Sequence, residues 1–403
     1  MKLRVLIAIA TIVPLVSVGV VFVPMRANER WDAMTQWADR AEAAWDSRDF
    51  RRATATGAAA DGNAFVHYDK AIASSRTRSD ADRALLRDLR LHPERVSAAD
   101  AASFETRWGE TIARMRDGAR SGEAMPRITW RHGFAVQPTE LLPARDVANA
   151  AVVVARRLRD QGKVQEALEV GLDAAQFAID MQQSPVVIDQ MIATALSTIV
   201  CSELFDEAFL VSLDATQKAT AERAFAQLES QCLHGFRGEG DVLLLAHSLK
   251  RSAADALPEL ESEVPEAELT SWRYGWSKRW AMADGVMLLV DICSQLENGV
   301  DLSWTLRQEL VEAQCQRIRV SANPALGAWD GTIVGFERSA RIALSHVRLL
   351  RAALRLSMGE SVESIQDPLG DGPFAVVRDG VSVRVSSNGG TKLHPLSRTA
   401  QVH

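Results

Sequence analysis

Residues Val5 to Val23 run for nineteen positions without a charged side chain, with Lys2 and Arg4 just ahead of them. As an α-helix rising about 1.5 Å per residue, the run spans roughly 28 Å, close to the hydrocarbon core of a bilayer. Pro24, Met25 and Arg26 follow, and then a long body of mixed polarity. This order predicts a single-pass transmembrane helix in segment 1–25, with the membrane contacted through residues 5–23. A cleaved signal peptide is the main competitor, because Ser17-Val18-Gly19 offers small residues at a cleavage site. Val20 to Val23 continue the apolar run past that site, however, and no cysteine precedes Cys201 for lipid attachment. A buried helix of a globular fold is the third reading. Lys2 and Arg4 on one side nearly balance Arg26, Arg30 and Arg40 on the other. The basic-then-apolar order therefore decides, and places the body in an extracytoplasmic, periplasmic space.

Charge narrows the partners. The chain carries a net −6, and about −8 once Lys2 and Arg4 are set aside, which excludes a partner that needs a basic surface, nucleic acid above all. The hydrophobic share of 47% is ample for a core. Cys201, Cys232, Cys293 and Cys315 show no Cys-x-x-Cys spacing, so a zinc knuckle or redox pair is not indicated. Disulfides between sequence neighbours and four buried free thiols both remain open.

Beyond the anchor the pattern is helix after helix, an all-α body. Trp31, Met34, Ala38, Ala41 and Trp45 form one apolar stripe within Glu29 to Phe50. Ser79 and Ser97 stand as N-caps of helices from Asp80 and Ala98. Residues 121–138, with Gly122, Pro126, Gly133 and Pro138, read as irregular. Helices are then expected from Thr139 to Gln161, with Gly162 ending it, and over Lys163 to Gln182. Ser184-Pro185 reads as the cap of a helix reaching Phe209, and Asp214 as the cap of one reaching Cys232. Further helices fall near Asp241–Leu257, Glu266–Glu297, Leu302–Val320 and Gly331–Met358. Strand signals appear only at the end, where Phe374–Arg378 and Val381–Ser386 flank Asp379-Gly380, a two-residue turn pair. Residues 391–403 read as frayed. The divisions are an N-terminal helical region 26–138, central hairpins 139–257, an acidic linker 258–268, C-terminal helices 269–360, and a β-hairpin cap with tail 361–403.

Chemistry is sparse. No Gly-x-Ser-x-Gly occurs, and none of the eight histidines stands in His-x-x-x-His or His-Glu-x-x-His spacing. The glycine-rich run Gly235 to Asp241 precedes a helix, so its amides could face an anion, but it lacks the Gly-Lys-Ser/Thr ending of a phosphate loop. Trp272, Trp276 and Trp280 recur at core spacing, and Met191, Ile192, Leu196, Ile199, Val200 and Leu204 read as the flank of a buried helix. No cofactor and no catalytic residue is indicated.

Ala155, Gly162, Ala167 and Ala174 occupy the small-residue positions of a helical hairpin that resembles a tetratricopeptide unit, although no second copy follows at its period. The string from Asp367 to Gly390 resembles the loop, hairpin and glycine-rich tail of type II secretion pseudopilins. That resemblance implies a calcium loop, for which Asp367, Asp371 and Asp379 are the metal candidates. Ser386, Ser387 and Asn388 replace the later carboxylates, however, and a hard cation wants six or more oxygens. A similar tail, with an element comparable to Asn63, Ala64, Phe65 and Tyr68, ends uncharacterised single-pass helical proteins of planctomycetes and myxobacteria, which this chain resembles. The function expected is that of a membrane-anchored scaffold or envelope assembly factor acting through protein–protein contacts. The alternatives are a binding module for a lipid or small hydrophobe near 186–209 or 272–290, and an enzyme whose groups converge from distant segments.

Overall fold

The computed structural model describes residues 28–57, 60–135, 140–254, 275–321, 323, 326–380, 382–389 and 396–401. The anchor 5–23, the linker around 258–265 and Trp272 lie outside the described residues. The chain is about 70% helical, with thirteen α-helices and two small sheets among the described residues. In order these are α1 (28–46), β1 (Ala60–Asn63), α2 (Ala64–Arg76), α3 (Asp80–Leu91), α4 (Ala98–Ala119) and β2 (Ser121–Glu123). A 3₁₀ turn at Trp130–Ala135 leads to α5 (Leu141–Asp160), α6 (Val164–Met181), α7 (Val187–Ile199), α8 (Glu207–Ser212) and α9 (Ala215–Gln231). Then come α10 (Glu239–Ala254), α11 (Gly275–Asn298), α12 (Trp304–Ser321), α13 (Trp329–Ser357) and strands β3 (Ala375–Asp379), β4 (Ser382–Ser386) and β5 (Ser397–Gln401).

Local chemistry sets most helix starts. Ser79 and Asp82 form a reciprocal capping box on α3, and Asp214 and Gln217 form another on α9. Ser97 caps α4 by accepting from the Asp100 N–H. Asn63 caps α2 through Phe65, and its amide also clasps both backbone groups of Met125. Gly162 takes φ +79° between α5 and α6, the left-handed geometry that ends a helix. Ala155, Ala167 and Ala174 are fully buried where those two helices meet, as the hairpin reading expects.

Other expectations need correction. Ser184 does not cap α7: Val186 holds the N-cap position without a side-chain bond, and the Ser184 hydroxyl donates to Asp189. The helix does not run to Phe209 either. It passes into a π turn at Val200–Leu204, and Asp206 starts α8 anew. Arg398 donates to the freed carbonyls of Cys201, Ser202 and Phe205, and Arg156 to that of Glu203, so arginines from elsewhere satisfy the broken ladder. Strands also occur earlier than expected, because β1 pairs in parallel with β2 through backbone groups that carry no apolar pattern. In the C-terminal sheet, Asp379 pairs with Ser382, so the loop begins at Gly380 (φ +60°) rather than centring on Asp379-Gly380. Val383 and Val385 are buried, as their alternation requires. Part of the tail read as frayed forms β5, which pairs along β4 and rests on α13 and α8.

Two large cores share α13 as a spine. The first gathers α2 to α9 around Phe104, Trp108, Phe177, Phe205 and Phe225, with the C-terminal half of α13. The second joins Met34 and Ala38 of α1 to α10, α11, α12 and the N-terminal half of α13. A smaller cluster seats β4 on Leu349, Ala352 and Leu356. Among the described residues, Val187–Leu204 is the one stretch apolar and long enough to cross a membrane, and 61% of it is buried inside the fold.

Candidate functional site

Two of the three expected metal candidates, Asp367 and Asp371, are occupied by protein donors. Asp367 is buried and accepts from the Ser387 hydroxyl and from the Asn388 and Leu369 N–H groups, tying the loop after α13 to the strand that follows. Asp371 accepts from the N–H and hydroxyl of Thr305 and so caps α12 from a distant segment. Those bonds hold its carboxyl below the usual range. Asp379 lies at the exposed end of β3. Among the described residues, no three His, Cys, Asp or Glu side chains gather as a metal cluster.

A cavity of about 450 Å³ lies beside that loop, lined by Arg341, Arg348, Arg351 and Arg355 of α13. Its charges are spent internally. Glu229 accepts from Arg348 and Arg351, and Glu222 from Arg351 and Arg355, while Glu337 holds Arg307 and Arg341. These pairs staple α13 to α9 and α12. Arg341 and Arg348 also donate to the carbonyls of Pro368, Val300 and Gln366, so these guanidinium groups have little left for a ligand.

A second cavity, of about 360 Å³, differs in kind. It opens where the C-terminal end of α1, the 3₁₀ turn at Trp130, the start of α7, the first turn of α10 and the end of α11 meet. Trp45 and Trp130 meet edge to face, their ring centroids 5.6 Å apart. Gly238 and Gly240 make the approach possible. A Cβ at Gly240 would lie 2.3 Å from the Pro185 carbonyl oxygen, and one at Gly238 would lie 2.4 Å from the Phe236 ring. The glycine-rich run thus serves close packing, and by that packing it forms part of the cavity wall.

Two deeply buried polar side chains line this cavity with one atom each left over. Trp130 is 3% exposed, and its Nε1–H has no acceptor in the protein. Gln190 is 2% exposed; its Nε2 donates to the Ser184 carbonyl at 2.8 Å, but its Oε1 has no donor. At the mouth stand Arg48, Arg237, Glu239 and Glu297, whose side chains make neither an ion pair nor a hydrogen bond with another described residue. Arg48 lies over Trp45 and Phe50 at 5.5 and 5.4 Å. Desolvation at the mouth, with Glu297 as a like charge, raises the Glu239 carboxyl. Burial pushes the Cys293 thiol up to about 12, so it stays protonated at neutral pH and is no nucleophile.

Sequence reasoning missed Arg48, Trp130, Gln190 and Glu297, which come from four distant segments. The glycine run was the one local signal pointing here. The apolar flank of α7 is packed core at Ile192, Leu196, Val200 and Leu204, whereas Met191 turns outward. No protein-family model matches this chain, and neither a curated protein nor a solved structure matches it.

Proposed function

We propose that this protein is a membrane-anchored, extracytoplasmic receptor that binds a small polar ligand in the cavity between Trp45, Trp130 and Gln190. The observation carrying this reading is a donor and an acceptor, both deeply buried and both without a partner in the protein, lining one cavity. A buried polar atom left unpaired costs about 1–3 kcal/mol; Trp130 Nε1 and Gln190 Oε1 are two such atoms that line one cavity. A ligand that supplies both partners recovers that cost. The volume sits at the small end of ligand pockets. The buried Trp130 N–H and Gln190 Oε1, with the charged side chains at the mouth, favour a hydrogen-bonding ligand over the lipid or hydrophobe weighed from sequence. The apolar run 5–23 supports the anchor, and a reporter fused after residue 60 tests it: activity only on export is expected.

The test of binding is a thermal-shift panel of amino acids, dipeptides, monosaccharides, disaccharides and polyols on the full chain in detergent. At least one compound should raise Tm, with the shift lost in Trp130→Phe, which keeps an aromatic ring and removes the N–H. A panel without any shift overturns the reading.

The protein-contact role expected from sequence keeps one specific support. β3 is an edge strand, and Val376 and Val377 are exposed on it, the latter at 60%. A free edge with apolar side chains accepts a strand from a partner. Val377→Lys should abolish a co-purifying partner without altering Tm; retention of that partner removes this reading.

A further inference from the structure

The charges at the cavity mouth form no ion pairs with one another. Arg48 feels Arg237 most strongly among the charged side chains around it, and then Glu297 and Glu239 on the opposite account. Glu239 in turn feels Glu297 as a like charge and Arg48 as an opposite one. Two guanidinium groups and two carboxylates thus share one opening without closing into salt bridges with each other. The rim of the cavity thus offers both signs of charge to a ligand. Below that rim sit one donor, Trp130 Nε1–H, and one acceptor, Gln190 Oε1. A secondary amide carries the complementary acceptor and donor. Its two ends, when they bear a free amine and a free carboxylate, complement the rim.

Resting on the cavity reading above, the geometry points to a short peptide with free termini, of dipeptide size, as the ligand. Its carboxylate meets Arg48 and Arg237, its ammonium meets Glu239 and Glu297, and its amide joins Trp130 to Gln190. The alternatives read differently at this site. A neutral saccharide would use Trp45 and Trp130 but leave the rim charges unmatched. A simple anion would meet the arginines and be repelled by the glutamates. A net-neutral dipolar ligand meets both, and charge-assisted hydrogen bonds at each end supply the selectivity.

Isothermal titration of the full chain in detergent tests this. The probes are dipeptides with small, aliphatic, acidic, basic and aromatic side chains, the N-acetyl and C-terminal amide forms of the best binder, and cellobiose. A free dipeptide should bind, and capping either end should weaken it by about tenfold or more, the scale of one lost charge-assisted bond. Arg237→Ala should reduce the penalty for amidation, with Arg48 remaining as the second partner, and the double variant Glu239→Gln, Glu297→Gln should erase the penalty for acetylation. All these residues are at the rim, so folding is checked by an unchanged Tm; Arg48 is left intact because it packs on Trp45 and Phe50. Equal binding of free and capped dipeptides overturns the proposal. Binding of cellobiose with no dipeptide bound also overturns it, but leaves the polar-ligand cavity standing. No binding by any probe, together with a blank thermal-shift panel, removes both.

Discussion

The carboxylate of Asp241, in the first turn of α10, accepts the backbone N–H of Val187 at 2.6 Å and so caps α7 from 54 residues away. This bond displaces the local cap expected from Ser184 and locks the starts of two helices together beside the cavity at Trp130.

Burial, reinforced by Asp189, raises the Asp241 carboxyl to about 7. A folded pKa above the unfolded value of 3.8 means that the native state holds the proton more tightly. The stabilisation is complete below pH ~4 and is lost as pH rises to about 7. Asp180, raised by burial to about 6, acts in the same direction. Asp241→Asn keeps an acceptor for Val187 and removes the titration. At pH 8 it should exceed the parent in stability by roughly 1–3 kcal/mol, with the gap closing near pH 4. Urea denaturation at several pH values checks this, and a gap independent of pH would contradict it.

Arg52 should be among the least replaceable residues. It donates to Asp180 at 2.6 Å and to the carbonyls of Gly118 and Ala119 at 3.1 and 3.2 Å, which end α4. Tyr68 and Gln176 also donate to Asp180. Arg52→Ala strands a buried carboxylate and should cost about 3–5 kcal/mol. The double variant with Asp180→Ala should lose clearly less than the sum of the singles, which a double-mutant cycle measures.

At the α5–α6 contact, Ala174→Trp should overpack a fully buried position and cost about 1–3 kcal/mol. An unchanged melting temperature would place Ala174 at the surface.

Arg398 ties the C-terminal sheet to the π turn after α7. Arg398→Ala leaves carbonyls of Cys201, Ser202 and Phe205 without this donor. A loss of about 1–3 kcal/mol is expected in denaturant titration. The same contact means that removing residues 367–403 should destabilise the helical body, and intact stability after that deletion would show the sheet to be a detachable cap.

Gly380, at φ +60°, starts the β3–β4 loop. Gly380→Val places a β-branched residue in the left-handed region and should cost about 1–2 kcal/mol, while Gly380→Asn should cost less. Equal effects of the two would mean that the backbone there has moved out of that region.

The helices were legible because their signals are short-ranged. Ser79 reaches Asp82 and Asp214 reaches Gln217 over three residues, and the burial of Val383 and Val385 follows from strict alternation. Asp367 and Asp371 were singled out as oxygen ligands because carboxylates in a glycine-rich loop look alike from sequence. Their use as anchors for Ser387 and Thr305 depends on which segments meet them.

By itself the sequence determined a mostly helical body, the α5–α6 hairpin, most of the caps and a β-hairpin near the end. All of these rest on interactions spanning a few residues. Only the tertiary structure decided where α7 begins and ends, since Asp241 and Arg398 act on it from far along the chain. It likewise decided the candidate site. Arg48, Trp130, Gln190, Glu239 and Glu297 share no local pattern, and they meet around one cavity where Gly240 lets α10 close on Pro185.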